Sequence, residues 1–95
     1  MHQMKTIQKI VIQPGRQQLM IPGDTILSAG VCQGNVVLYA LVDTEEQFDK
    51  PYETAVYETN ADTGDLNGFS FAGTIKTEDN RVLHVFYKSL TSMDL

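Results

Sequence analysis

The chain has 95 residues, of which 42% are hydrophobic, with a single cysteine and a formal net charge of −5. A chain of this length is expected to form one domain with one core, and little of it is left over for a deep enclosed active site. The lone cysteine excludes an intramolecular disulfide and a cysteine-rich zinc site. The sequence shows neither a signal peptide at residues 1–8 nor an apolar run of membrane-spanning length, so we expect a cytoplasmic protein.

The acidic charge is concentrated in one stretch of the sequence. Eight of the twelve acidic residues lie between positions 43 and 65, where Lys50 is the only base. Nucleic-acid binding is not expected, because it relies on clustered Lys and Arg side chains. The acidic stretch either attracts a basic protein surface or only keeps a small protein dissolved.

The first part of the chain has the residue pattern of short β-strands. Residues 7–13 and 18–21 are strand candidates, separated by the turn signal Pro14-Gly15. No stretch of the sequence keeps an uninterrupted helical spacing of apolar residues. The best helical candidate is a single turn at residues 44–48, just before Pro51.

A hairpin is predicted in the middle of this pattern. Residues 25–32 and 36–43 flank Gln33-Gly34-Asn35, which is a typical hairpin connection. Residues 36–42 are apolar at every position and rich in β-formers. They therefore predict a central strand that is covered on both sides.

The second part of the chain continues the strand pattern. Residues 52–59 are rich in Tyr, Val and Thr, and residues 69–77 and 82–88 flank the four-residue turn 78–81 in a second hairpin. Apolar and polar side chains alternate along residues 69–76. The fold predicted is an all-β single domain, a small antiparallel sandwich or open barrel of six to seven strands.

Two loops carry the candidate partner-binding residues. The loop at 43–51 is acidic, and the loop at 60–68 is rich in turn-forming residues. Phe48 is an aromatic ring within the acidic loop, and it either tucks back onto the sheet edge or anchors a partner. The residues expected at the partner-binding surface are Asp43, Glu45, Glu46, Phe48, Asp49, Asp62 and Asp65.

Catalytic and metal-binding motifs do not stand out in the sequence. The acids and glycines at 60–68 do not match the spacing of a calcium-binding EF-hand loop. His84 could act as a base oriented by Asp43, with Ser28 or Cys32 as the nucleophile, but neither lies in a recognisable nucleophile motif. The common explanation for His84 is a partly buried ring bonded to a backbone carbonyl. We therefore expect no catalysis, no metal and no cofactor.

Short segments spread along the chain carry a family resemblance. They are Ile21-Pro22-Gly23, Ile26-Leu27-Ser28, Val31-Cys32-Gln33-Gly34, Tyr39-Ala40-Leu41-Val42-Asp43, Thr63-Gly64, Phe71-Ala72-Gly73-Thr74 and His84-Val85-Phe86. Their order and spacing from Lys5 to Phe86 resemble a family of small uncharacterised phage and prophage proteins, a domain of unknown function. The resemblance implies a phage or prophage origin and an accessory role, and it assigns no activity.

Three functional hypotheses follow from the charge pattern and this resemblance. The first is stoichiometric inhibition of a host-defence protein in the host cytoplasm, in which the acidic surface meets a basic partner surface. The alternative is a homo-oligomer that sequesters a nucleotide signalling molecule between its subunits. Its ligand-binding residues would be drawn from Lys5, Lys9, Arg16, Lys76, Arg81 and His84. A third hypothesis is an accessory protein of the virion.

Overall fold

A computed structural model describes residues 5–23, 25–44 and 49–90 of the chain, and these residues form seven β-strands and no helix. The strands are β1 (Lys5–Ile12), β2 (Gly15–Ile21), β3 (Thr25–Cys32), β4 (Asn35–Asp43), β5 (Lys50–Glu58), β6 (Ser70–Lys76) and β7 (Val82–Ser89). The single helical turn proposed for residues 44–48 falls mostly outside the described residues. The all-β prediction is confirmed, with seven strands.

The strands form two antiparallel sheets that pack face to face. Sheet A has the strand order β1-β4-β3, and sheet B has the order β2-β5-β7-β6. The described chain measures 47 × 35 × 16 Å, which is flat enough for two layers of strands. The arrangement is a small β-sandwich and not a closed barrel.

Both predicted hairpins are present. Between β3 and β4 the chain turns at Gln33 (φ 52°) and Gly34 (φ 81°), and two positive φ angles in a two-residue loop fit the twist of the flanking strands. The β6–β7 turn is closed by Thr77, whose backbone N–H donates to the Arg81 carbonyl at 2.8 Å. Both turns could be predicted from the sequence because the turn-forming residues lie next to each other in the chain.

β1 and β2 follow each other in the chain but belong to different sheets. β1 pairs with β4 and β2 pairs with β5. Pro14 and Gly15 (φ 83°) carry the chain from one layer to the other, so that Ile12 and Ile21 both face the interior. The two sheets are thus joined by a turn and not by shared backbone pairing.

The core lies between the sheets and is built by the alternating inward residues of both. On β4, Val36, Leu38, Ala40 and Val42 point inward. The remaining core members are Ile12, Ile21, Tyr52, Val56, Ile75, Leu83 and Val85. Thr54 is the fully buried polar residue among the described positions, and its hydroxyl has no hydrogen-bond partner.

The two lateral sides of the sandwich differ. On one side β3 packs against β6, where a Cβ added to Gly73 would lie 3.6 Å from the Cβ of Ala29. Each of these strands contains a register irregularity, at residues 26–28 and 71–73. On the other side β1 and β2 are the outermost strands of their sheets, and β1 pairs with β4 over all eight of its residues without interruption.

Candidate functional site

The outer face of sheet B is crossed by the loop that joins β5 to β6. We call residues 59–69 the covering loop. Arg16 on β2 holds it, because its guanidinium donates to the backbone carbonyls of Thr63 (3.0 Å) and Asp65 (2.7 Å). The same guanidinium donates to the Tyr57 hydroxyl at 3.1 Å and lies 3.6 Å from the Glu53 carboxylate. These contacts raise the pKa of Arg16, with the Tyr57 hydrogen bond as the largest cause.

Phe69, at the end of the covering loop, lies near two cations. The Arg16 guanidinium is 4.8 Å from the centre of its ring, and the Lys88 ammonium is 4.7 Å from it. A cation over an aromatic face is attracted by the negative charge of the ring face. Arg16 therefore fixes the loop twice, through its backbone and through this ring.

The acidic residues of the candidate partner-binding surface occupy two separate places. Asp43 and Asp49 lie where the chain passes from β4 to β5. Asp62 and Asp65 lie in the covering loop, where their carboxylates accept the N–H groups of residues 64 and 67 (3.0 and 2.8 Å) and so shape its turns. Glu45, Glu46 and Phe48 fall outside the described residues.

The separation between these two places can be estimated along β5. Arg16 is the register partner of Ala55, in the middle of β5, and it also holds Asp65. Asp49 precedes Ala55 by six residues, which is about 20 Å along an extended strand. The two acidic places are therefore held at different points along β5, one before its first residue and the other beside its middle.

His84 is engaged on both sides of its ring. Its Nε2 lies 2.8 Å from the Thr59 hydroxyl and its Nδ1 lies 3.0 Å from the Thr74 hydroxyl. The partners are side-chain hydroxyls and not the backbone carbonyl that the sequence suggested. Asp43 belongs to the other sheet, so the structure does not bring together the base and orienter considered for catalysis.

A shallow hollow of about 300 Å³ lies beside His84. It is lined by Tyr57, Thr59, Thr63 and Phe86, among others. Within the described ranges, no group of three or more His, Cys, Asp or Glu side chains is placed to hold a metal ion. The hollow therefore offers hydroxyl groups, aromatic rings and the side chain of Glu58.

The basic residues proposed as nucleotide ligands do not converge in one subunit. Lys5 and Lys9 lie on the outer face of sheet A, whereas Arg16 and His84 lie on the outer face of sheet B. Arg81 lies at the end of the β6–β7 hairpin. Its guanidinium is 3.2 Å from the carboxylates of both Glu58 and Asp79. Both described arginines thus already have carboxylate neighbours within their own chain.

The outer face of sheet A is open and apolar. Ile7 is 61% exposed and Val11 is 47% exposed on β1, and Leu41 of β4 lies beside Ile7 in the sheet. Leu27 on β3 is 45% exposed. It is the extra residue at the register irregularity opposite Tyr39, which places it beside this face. In the described part of the chain we find no counterpart of the covering loop here.

The centre of this face is covered only by its own side chains. Val37 on β4 is fully buried although it points away from the core. The Lys9 ammonium reaches across β4 to the Cys32 sulfur at 3.0 Å, which places the Lys9 stem over Val37. The prediction that β4 is covered on both sides is thus only partly right, since the residues that the structure describes form no second layer on this side.

The Lys9–Cys32 contact was not expected from the sequence. Lys9, which precedes Cys32 by 23 residues in the sequence, donates a hydrogen bond to its sulfur. This hydrogen bond raises the pKa of Lys9. The alternation of Ile7, Lys9 and Val11 is the signal that could have indicated an exposed, partly apolar strand face.

Comparison with known proteins places the chain in a family without assigning it an activity. No curated protein and no solved structure matches it. The described residues contain no helix that is long and apolar enough to cross a bilayer. The match to a family covers residues 4–93, which is almost the whole chain, and it carries no statement of a phage origin. The chain belongs to the family described as Domain of unknown function (DUF7352).

Proposed function

We propose that this protein acts by stoichiometric binding to another protein and catalyses no reaction. The observation that carries the proposal is the open apolar outer face of sheet A, with Ile7, Val11 and Leu27 substantially exposed on its two outer strands. Several exposed apolar side chains on one face of a small domain are a common mark of an interaction site. A flat sheet face of this kind suits a protein surface better than an enclosed small molecule.

The partner proposed is a protein with an apolar patch bordered by basic side chains. The outer face of sheet A ends at Asp43, and the sequence from 43 to 49 contains four acidic residues and no base. Complementary charge at the rim of an interface speeds the encounter and disfavours wrong partners. The exposed apolar side chains on the two outer strands would supply the affinity, and the acidic side chains would supply the orientation.

The engagement of the chemically active side chains supports a binding role over catalysis. His84 is bonded through both ring nitrogens to threonine hydroxyls, and Cys32 accepts a hydrogen bond from Lys9. A general base needs a ring nitrogen aimed at its substrate. Inhibition of a host-defence protein, which the family resemblance suggested, is the biological setting in which we place this binding.

The test is a comparison of two matched glutamate variants. Leu27→Glu adds a charge beside the outer face of sheet A, and Met20→Glu adds the same charge on β2 of sheet B, where Met20 is 55% exposed. The partner would first be isolated with tagged protein from cells that naturally express the gene, and its stoichiometry determined. Affinity for the purified partner would then be measured for both variants and at several salt concentrations.

The expected result is that Leu27→Glu weakens binding more than tenfold, which corresponds to about 1.4 kcal/mol, while Met20→Glu leaves it unchanged. Binding should also weaken as the salt concentration rises, because an acidic rim is screened by ions. Equal affinities for the wild type and Leu27→Glu would overturn the proposal. So would a partner that loses affinity only with Met20→Glu.

A further inference from the structure

The free edge of β1 has the features of a strand that is used for pairing. β1 is the outermost strand of sheet A, is regular over its whole length and contains no proline. The opposite edge strands, β3 and β6, are irregular and pack against each other. Natural proteins usually protect a long regular edge with a bulge, a proline, an inward charge or a covering segment.

Lysine is another common edge-protecting residue, and β1 contains two. Lys9, however, is directed away from the edge, because its ammonium crosses β4 to reach Cys32 on β3. Lys5 lies opposite Asp43 of β4 in the sheet register. Neither lysine therefore has to extend its charge over the free side of the strand.

The inward-pointing side chains of β1 also lack full cover. Thr6 and Gln8 alternate with the outer-face residues and so point toward sheet B, yet both are exposed. Ile10 and Ile12, further along the same side, are progressively more buried. The first half of β1 therefore lies beyond the shelter of sheet B and has surface left to bury.

We propose that two copies of this chain pair through their β1 strands, antiparallel and centred on Gln8, to form one continuous six-stranded sheet. In an antiparallel pair, the side chains of two opposed residues lie on the same face of the sheet. A symmetric pair of β1 strands must therefore be centred on one residue, which lies opposite the same residue of the second copy. With Gln8 at the centre, Ile7 lies opposite Lys9 of the second copy and Lys5 lies opposite Val11. Centring on Lys9 or on Ile7 would place lysines opposite each other, which is unfavourable.

This inference goes beyond the proposed partner and does not rest on it. The dimer uses the backbone edge of β1 and the side chain of Gln8, whereas partner binding is tested at Leu27 on β3. The two-fold would place two outer faces of sheet A side by side. A partner with two copies of its own binding surface could then contact the outer faces of both subunits at once.

Site-specific crosslinking tests the register. In a Cys32→Ser background, which retains a hydrogen-bond acceptor for Lys9, Gln8→Cys places two thiols directly opposite each other. Opposed Cβ atoms in such a pair lie about 5 Å apart, within reach of a disulfide after small adjustment. Thr6→Cys is the matched control, since its two copies would be separated by about 13 Å along the strands.

The expected result is a rapid intermolecular disulfide for Gln8→Cys and none for Thr6→Cys. Light scattering should give twice the monomer mass of 10.6 kDa for the unmodified chain, and Gln8→Glu should weaken the dimer several-fold by opposing two carboxylates.

A strict monomer at all concentrations overturns the inference. A disulfide that forms equally at Thr6, or instead at Gln18→Cys on β2, overturns the proposed register and edge. Loss of partner binding with Leu27→Glu but not with Gln8→Glu leaves both proposals standing.

Discussion

The outer faces of the two sheets are built on the same alternating strand pattern but are covered in different ways. Sheet B is crossed by the covering loop, which Arg16 holds through two backbone carbonyls and which places Phe69 near two cations. Among the described residues, Lys9 and Tyr39 lie across the centre of sheet A, and Ile7 is exposed at its margin. The comparison shows that strand alternation decides which residues point outward, whereas a single anchoring side chain can hold a loop over part of such a face. Met20 and Phe71, also on the strands of sheet B, remain 55% and 59% exposed.

The largest effect expected in this comparison is on the covering loop. Phe69→Ala removes the ring from between Arg16 and Lys88 and should lower the free energy of unfolding by about 2 kcal/mol. Phe71→Ala is the matched control, because Phe71 is 59% exposed and its ring lies against Phe86 (ring centres 5.5 Å apart). Urea denaturation with limited proteolysis of residues 59–69 measures both. Equal destabilisation by the two variants would show that Phe69 does not hold the loop.

A smaller loss is expected when the cover of sheet A is disturbed. Gly30→Ala introduces a Cβ that would lie 2.9 Å from Cε2 of the Tyr39 ring, so the ring must move off this strand. We expect a destabilisation of about 1 kcal/mol, typical of mild overpacking that a side chain can relieve. Chemical denaturation gives the energy, and the aromatic NMR signals of Tyr39 report the movement. Unchanged Tyr39 signals would contradict the packing described here.

A substitution inside the sandwich is expected to raise the free energy of unfolding by a similar or smaller amount. Thr54, on β5 of sheet B, buries a hydroxyl that has no hydrogen-bond partner. Thr54→Val keeps the shape and removes the unpaired polar group, so it should raise the free energy of unfolding by about 1 kcal/mol. Thr54→Ser, which keeps the hydroxyl and loses a methyl group, serves as the control and should destabilise. A stability loss with Thr54→Val would mean that the hydroxyl is bonded in solution.

The smallest effect concerns the Lys9–Cys32 contact. The hydrogen bond to Cys32 raises the pKa of Lys9 above its ordinary value of 10.5. Its stabilising contribution is therefore fully present below pH 10.5 and is lost as the pH rises through the higher folded-state pKa. Lys9→Met keeps the apolar stem over Val37 and removes the charge. The free energy of unfolding of this variant should therefore differ from that of the wild type only at pH values at which Lys9 is protonated. A difference that does not change with pH would contradict the contact.

Much of the fold could be predicted because its signals are local. The Gln33-Gly34 turn, the β6–β7 hairpin and the alternation along β6 each depend on residues close together in the chain. The division of β1 and β2 between two sheets could not be predicted in this way. It is decided by how distant strands such as β1 and β4 bury their apolar sides together, and a short sequence window does not contain that information.

The candidate site was harder to predict than the fold. Arg16 contacts Thr63 and Asp65, 47 and 49 residues away, and Lys9 contacts Cys32 across two strand pairings. The sequence alone offered both cations as ligands of a nucleotide in the alternative hypothesis, and their partners within the fold are too distant in the chain to be predicted. The acidic stretch drew attention for its charge, while the exposed Ile7 and Val11 were counted as ordinary strand residues.

Hydroxyl-radical footprinting of the protein, free and bound to its partner, would locate the binding surface. We expect Leu27 and Leu41 of sheet A to become protected in the complex, while Met20 and Phe71 of sheet B keep the labelling rate of the free protein. Protection confined to Met20, Phe71 or the covering loop, with Leu27 and Leu41 labelled as before, would contradict this expectation.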